Sequence, residues 1–84
     1  MINFIKQIER KIYEELNPEH VELIDNSHLH RGHKSFDENK VHLKIIINSK
    51  RLGALKRKEA HKIIFSLLKD EMKTKIHALE IQIK

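Results

Sequence analysis

The sequence predicts an α+β domain, a small three-stranded mixed sheet covered on one face by helices in the order helix, strand, strand, helix, strand. Apolar residues recur at helical spacing in two stretches and alternate with polar ones in three others. One proline and two glycines leave little room for linkers, and no internal repeat or low-complexity run divides the 84 residues. One domain spanning 1–84 is therefore expected. A chain of this size removes only about 60 to 65% of its unfolded surface from water, so its core is thin.

From Asn3 to Leu16, Ile5, Ile8, Ile12 and Leu16 fall on one side of a helix, with Lys6, Glu9, Arg10, Glu14 and Glu15 on the other. Asn17-Pro18 ends it, because the residue before proline is pushed out of helical geometry. Val21 to Ile24 reads as a short strand entering a polar loop that closes at Lys40. Val41 to Asn48 gives the clearest strand, with Val41, Leu43, Ile45 and Ile47 turned toward the helices. Ser49 to Lys56 reads as a basic turn around Gly53. Ala60, Ile63, Ile64, Leu67, Leu68 and Met72 then define one long second helix, closed by Lys73, Thr74 and Lys75, where cations meet the negative end of the dipole. Leu79, Ile81 and Ile83 alternate as a last strand, with His77 just before it and in phase with its apolar face. The first two strands should pair antiparallel, and the crossover through the long helix should be parallel and right-handed.

The loop carries the densest chemistry. His28, His30 and His33 lie within six residues, and imidazole ligates borderline metals at neutral pH. With no cysteine, any metal held by this chain is held by nitrogen, and sulfur must come from elsewhere. The pair His28 and His30 would also capture Zn, Ni or Cu adventitiously. On the residues alone, His77 reads as a histidine packed at a strand start, and His42 and His61 read as structural.

The net charge of +5 permits an anionic partner, although a solvated lysine-rich face is the plainer explanation. Lys50, Arg51, Lys56, Arg57, Lys58 and Lys62 form the basic cluster on which weak, salt-sensitive DNA binding would rest. Aromatic stacking residues are scarce, namely Phe4, Tyr13, Phe36 and Phe65. No nucleophile motif or phosphate loop is present, so an enzyme is not expected. The longest apolar run, Ile45-Ile46-Ile47, is far short of a membrane span, and no charged-then-apolar leader opens the sequence; a cytoplasmic setting is expected.

Four segments together resemble the BolA-like (stress-induced morphogen) proteins: Asp25-Asn26-Ser27-His28-Leu29-His30-Arg31-Gly32-His33, Val41-His42-Leu43-Lys44-Ile45, His61-Lys62-Ile63-Ile64-Phe65 and Ile76-His77-Ala78-Leu79. The resemblance runs from about Ile5 to Ile83. It implies a fold similar to class II KH domains and a monothiol glutaredoxin as partner, the two sharing a 2Fe-2S cluster in iron-sulfur trafficking or iron-status signalling. In that arrangement the glutaredoxin and its glutathione supply thiolates. His77 and the loop position matching His30 supply nitrogen, with His28 and His33 as loop alternates. The isolated chain is then expected to be a cofactor-free monomer. The resemblance also implies a role in transcription regulation.

The sequence departs from the family pattern at Ala60-His61-Lys62, where relatives carry Arg-His-Arg, and at Leu52-Gly53-Ala54 in place of Phe-x-Gly. A third departure is Val41-His42-Leu43 where relatives carry Ser-His-Phe. The missing arginines weaken any anion or nucleic-acid role tied to the Ala60-His61-Lys62 stretch and leave His30 and His77 untouched. A Gly-x-x-Gly clamp of the KH type is also missing, since Gly53 stands alone.

Overall fold

A computed structural model describes residues 2–26 and 40–84. The chain runs α1 (Ile2–Leu16), β1 (His20–Asp25), β2 (Val41–Asn48), α2 (Lys50–Gly53), α3 (Arg57–Leu67), α4 (Lys69–Thr74) and β3 (Ile76–Ile83). The three strands form one mixed sheet in the order β1-β2-β3, with β1 antiparallel and β3 parallel to the central β2.

Alternation along β2 decides where the core sits. Val41, Leu43, Ile45 and Ile47 are each no more than 2% exposed, while His42, Lys44 and Ile46 between them are half-buried on the other face. Phe4, Ile8, Ile12 and Leu16 from α1, with Ala60, Ile64 and Leu68 from the later helical segment, pack with those strand residues into one cluster. The helices thus share one face of the sheet, as the sequence predicts. The opposite face carries His20, Glu22, Lys44, Glu80 and Gln82.

α1 stops where expected, by a more specific device. Asn17 adopts a left-handed φ of 46°, which a short polar side chain tolerates, and its N–H donates to the Tyr13 carbonyl at 3.0 Å. Tyr13 in turn ties α1 to β1, its hydroxyl accepting from the Val21 N–H at 3.2 Å.

Two expected elements differ. The basic turn is a one-turn helix, α2, because the buried Ser49 hydroxyl accepts from the Leu52 N–H at 3.2 Å while the Glu19 carboxylate accepts from the Lys50 N–H at 3.0 Å. The expected single helix is two, α3 and α4, divided at Leu68. Hydrogen bonds continue across the division, from Leu68 N–H to the Ile64 carbonyl and from Met72 N–H to the Leu68 carbonyl. The apolar series Ala60, Ile64, Leu68 therefore keeps one face through the bend. α4 is fixed to α1 by the Lys11–Glu71 ion pair at 3.1 Å.

Candidate functional site

β3 begins irregularly. Val41 stands opposite Ile76, but His42 stands opposite Ala78, so β3 carries one extra residue at His77. The burial of the strand follows from this slip. Ile76, Leu79, Ile81 and Ile83 face the core, a spacing of three and then two, whereas His77 and Ala78 are both exposed. The expectation that His77 lies before the strand and in phase with its apolar face is thus corrected: it is the second residue of β3, and the bulge turns it outward.

The same bulge brings two imidazoles together. The His42 and His77 rings lie 4.8 Å apart between centroids, inclined at 37°. His42 is half-buried, with its Nε2 sealed from solvent, and its carbonyl accepts from the Asn26 N–H at 2.7 Å. The sequence favours a structural place for His42, which also matches a recurrent position of the family. The available signal was topological: parallel pairing of β2 with β3 sets the first turn of one strand beside the first turn of the other, and each carries a histidine there.

This end of the sheet is also where the histidine loop attaches. The chain leaves it at Asn26, bonded to His42, and re-enters at Lys40, next to Val41, whose N–H donates to the Lys75 carbonyl at 2.8 Å. His28, His30 and His33 lie outside the described residues. Among the described residues, no three His, Asp or Glu side chains are grouped to hold a metal ion. A shallow depression of about 210 Å³ lies beside the pair, lined by Asn26, His42, Leu43, Ala78, Leu79 and Glu80.

The basic cluster is elsewhere. Lys50 and Arg51 are on α2, Lys56 precedes α3, and Arg57, Lys58 and Lys62 are on its first two turns, all six exposed. Of the aromatic residues, Phe4 is buried in the core while Phe65 is 38% exposed on α3. No helix among the described residues is long and apolar enough to cross a membrane.

The family model for BolA-like protein matches residues 12–84. The chain belongs to the BolA-like family. A Sinorhizobium protein, "Uncharacterized protein in cobS 5'region", is 34% identical over 96% of this BolA-like chain and 89% of its own length. The "DNA-binding transcriptional regulator BolA" of Vibrio cholerae is 34% identical over 88% of this chain and 67% of its own. Among solved structures, the BolA domain of SufE1 from Arabidopsis thaliana superposes with a TM-score of 0.81 at 34% identity, over 94% of this chain and 87% of that one. The α+β architecture is thus that of the BolA domain, and the Vibrio cholerae relative is named as a regulator.

Proposed function

We propose that this BolA-like protein is a non-enzymatic partner of a monothiol glutaredoxin that co-ligates a shared 2Fe-2S cluster. His77 and one loop histidine, His30 first, would be this chain's ligands. The observation that carries the reading is the bulge in β3, which presents His77 outward at the end of the sheet where both ends of the histidine loop attach. Asn26 is bonded to His42, whose ring is 4.8 Å from that of His77, and the four residues from Asn26 to His30 span at most about 14 Å when extended. The donor set also fits a shared site: the chain offers imidazole and no thiolate, so sulfur must come from the partner and its glutathione.

When bound, such a cluster supplies one-electron redox chemistry, and imidazole ligation raises its potential relative to thiolate ligation. This chain's own residues bind and orient. His77 would offer its ring nitrogen, and His42, its ring 4.8 Å away, would limit the rotamers that the His77 ring can take. Protonated imidazole cannot coordinate, so the shared site should be labile to acid. That suits transfer or sensing better than permanent electron carriage.

The test is anaerobic reconstitution with a monothiol glutaredoxin and glutathione, read by native mass, absorbance and visible circular dichroism. A one-to-one complex with a mixed-ligand spectrum is expected. His77→Ala should abolish that spectrum while changing stability by less than about 0.5 kcal/mol, as is usual for an exposed side chain. An unchanged spectrum removes His77 from the site. His30→Ala should weaken cluster retention, and if His28→Ala or His33→Ala does so instead, the loop ligand is reassigned.

The name of the Vibrio cholerae relative and the exposure of all six basic residues on and between α2 and α3 favour a second reading, binding of DNA through that surface. Anisotropy titration with duplex and single-stranded DNA across a salt series separates the two readings. Tight, sequence-selective binding at physiological salt would promote the second; weak, steeply salt-dependent binding would leave it a general property of a basic surface.

A further inference from the structure

At the opposite end of β3 from His77, a groove of about 610 Å³ opens between the strand and the helical segment. Leu52, Leu55, Arg57 and His61 are on its helical side, and Glu80 to Lys84 form its strand side. Among the described residues β3 is an edge strand. The Lys84 N–H donates to the Ile47 carbonyl at 2.9 Å, so by the alternation of a parallel ladder Gln82 and Glu80 also face β2. The N–H and C=O groups of Ile81 and Ile83 consequently point to the outer edge, into the groove.

We infer that this groove receives an extended acidic segment of a partner protein, added along β3 as a fourth strand. Three features specify the occupant. The outer edge offers backbone donors and acceptors in the spacing of a strand, and such edges are templates for an added one. At about 3.4 Å per residue, Glu80 to Lys84 accommodates roughly four residues of added strand. The groove's side chains supply the selectivity: Leu55, one of two large hydrophobic residues left exposed among those described, and the part of Ile83 that the core leaves uncovered offer apolar contact, while Arg57 and Lys84 are opposed, among the described lining residues, by a single acid, Glu80. Lys56 and Lys58, both exposed, are the chain neighbours of Arg57, and the exposed acid Glu59 follows them. A single-stranded nucleic acid would also meet this charge. Among the described residues the lining holds no Phe, Tyr or Trp on which bases could stack, however, and its outward-facing strand groups are backbone donors and acceptors, which a peptide matches and a base does not. The inference does not depend on the cluster reading, because the groove and His77 occupy different ends of the strand.

The probe is a fluorescein-labelled octapeptide alternating Val with Glu, titrated into the whole chain by anisotropy, with a Val-Lys octapeptide as control. Saturable binding of the Glu peptide alone is expected, together with slowed hydrogen exchange at the Ile81 and Ile83 amides. Ile83→Pro deletes an outward donor without removing a ladder bond, a substitution edge strands tolerate, and should weaken binding at least tenfold. Arg57→Glu should weaken it about as much from the helical side, and stands as the second variant should Ile83→Pro lose its folded amide spectrum. The proposal is overturned by no saturation below about 1 mM or by binding indifferent to Arg57→Glu. It is equally overturned if an oligothymidine outcompetes the peptide at the same amides, or if these amides become protected by self-association of the chain alone.

Discussion

At its first residues β3 carries one residue more than the strand beside it; at its last residues the two match one for one. The difference separates what each end can offer. Where the register slips, consecutive side chains His77 and Ala78 are both exposed, and an imidazole stands clear of the core. Where the register holds, apolar side chains turn inward at every second position, and the outer edge offers a partner the backbone groups of Ile81 and Ile83 beside the exposed Glu80, Gln82 and Lys84. One strand thus presents side-chain chemistry at one end and main-chain chemistry at the other. Two amides report on the ends separately: Val41 N–H, held by the Lys75 carbonyl, and Lys84 N–H, held by the Ile47 carbonyl.

The largest expected effect erases the contrast. Ile45 is fully buried at the middle of β2, opposite Leu23 on one side and Ile81 on the other. Ile45→Ala should cost about 2 to 5 kcal/mol in urea unfolding, a large part of what so small a domain possesses. Both reporters should then lose protection together. If one end kept its protection, the strand would not be a single cooperative unit.

A smaller effect sharpens the contrast at the irregular end. Removing the His42 ring, 4.8 Å from that of His77, should widen the rotamer distribution of His77 in the isolated chain, measured by its side-chain scalar couplings. His42→Ala should cost about 1 kcal/mol of stability and, if the cluster reading holds, about tenfold in cluster retention, as loss of a ligand's supporting contact commonly does. Unaltered couplings would show that the bulge alone orients His77. The Lys84 amide should not respond to this change.

These two ends also mark how far the sequence was legible. The regular end was readable because period-two alternation is a property of the residues themselves: Leu79, Ile81 and Ile83 predict their own inward face, and Val41 to Ile47 predict theirs. A bulge has no such signature. Extending the same alternation backwards from Leu79 places His77 inward, and nothing in Ile76-His77-Ala78 announces the extra residue. The division of the expected long helix at Leu68 was hidden likewise, since neither glycine nor proline marks it and the apolar series runs through it unbroken. α2 did carry a signal that the basic-turn reading passed over, a serine at the N-cap position before Lys50-Arg51-Leu52. The pairing of His42 with His77 required topology, because 34 intervening residues separate them. The loop histidines were recognisable by density, and their placement lies outside the described residues.

The smallest expected effect tests whether the two ends are independent. Lys75, immediately before β3, holds the irregular end twice: its carbonyl receives the Val41 N–H, and its ammonium lies 5.1 Å from the centre of the buried Phe4 ring on α1. A cation over an aromatic face at an exposed position is worth about 0.5 to 1 kcal/mol. Lys75→Gln removes the charge and leaves the carbonyl in place, so the backbone bond survives with a weaker tether behind it. Exchange at the Val41 amide should accelerate by roughly two- to fivefold, the factor corresponding to that free energy, while the Lys84 amide stays unchanged. Lys75→Arg, which keeps a cation over the ring, should restore the slower rate at Val41. Equal acceleration at both amides would mean that the loss is global and that the ends of β3 open as one. No acceleration at either would mean that the backbone bond and the packing of Ile76 hold the irregular end without help from Phe4.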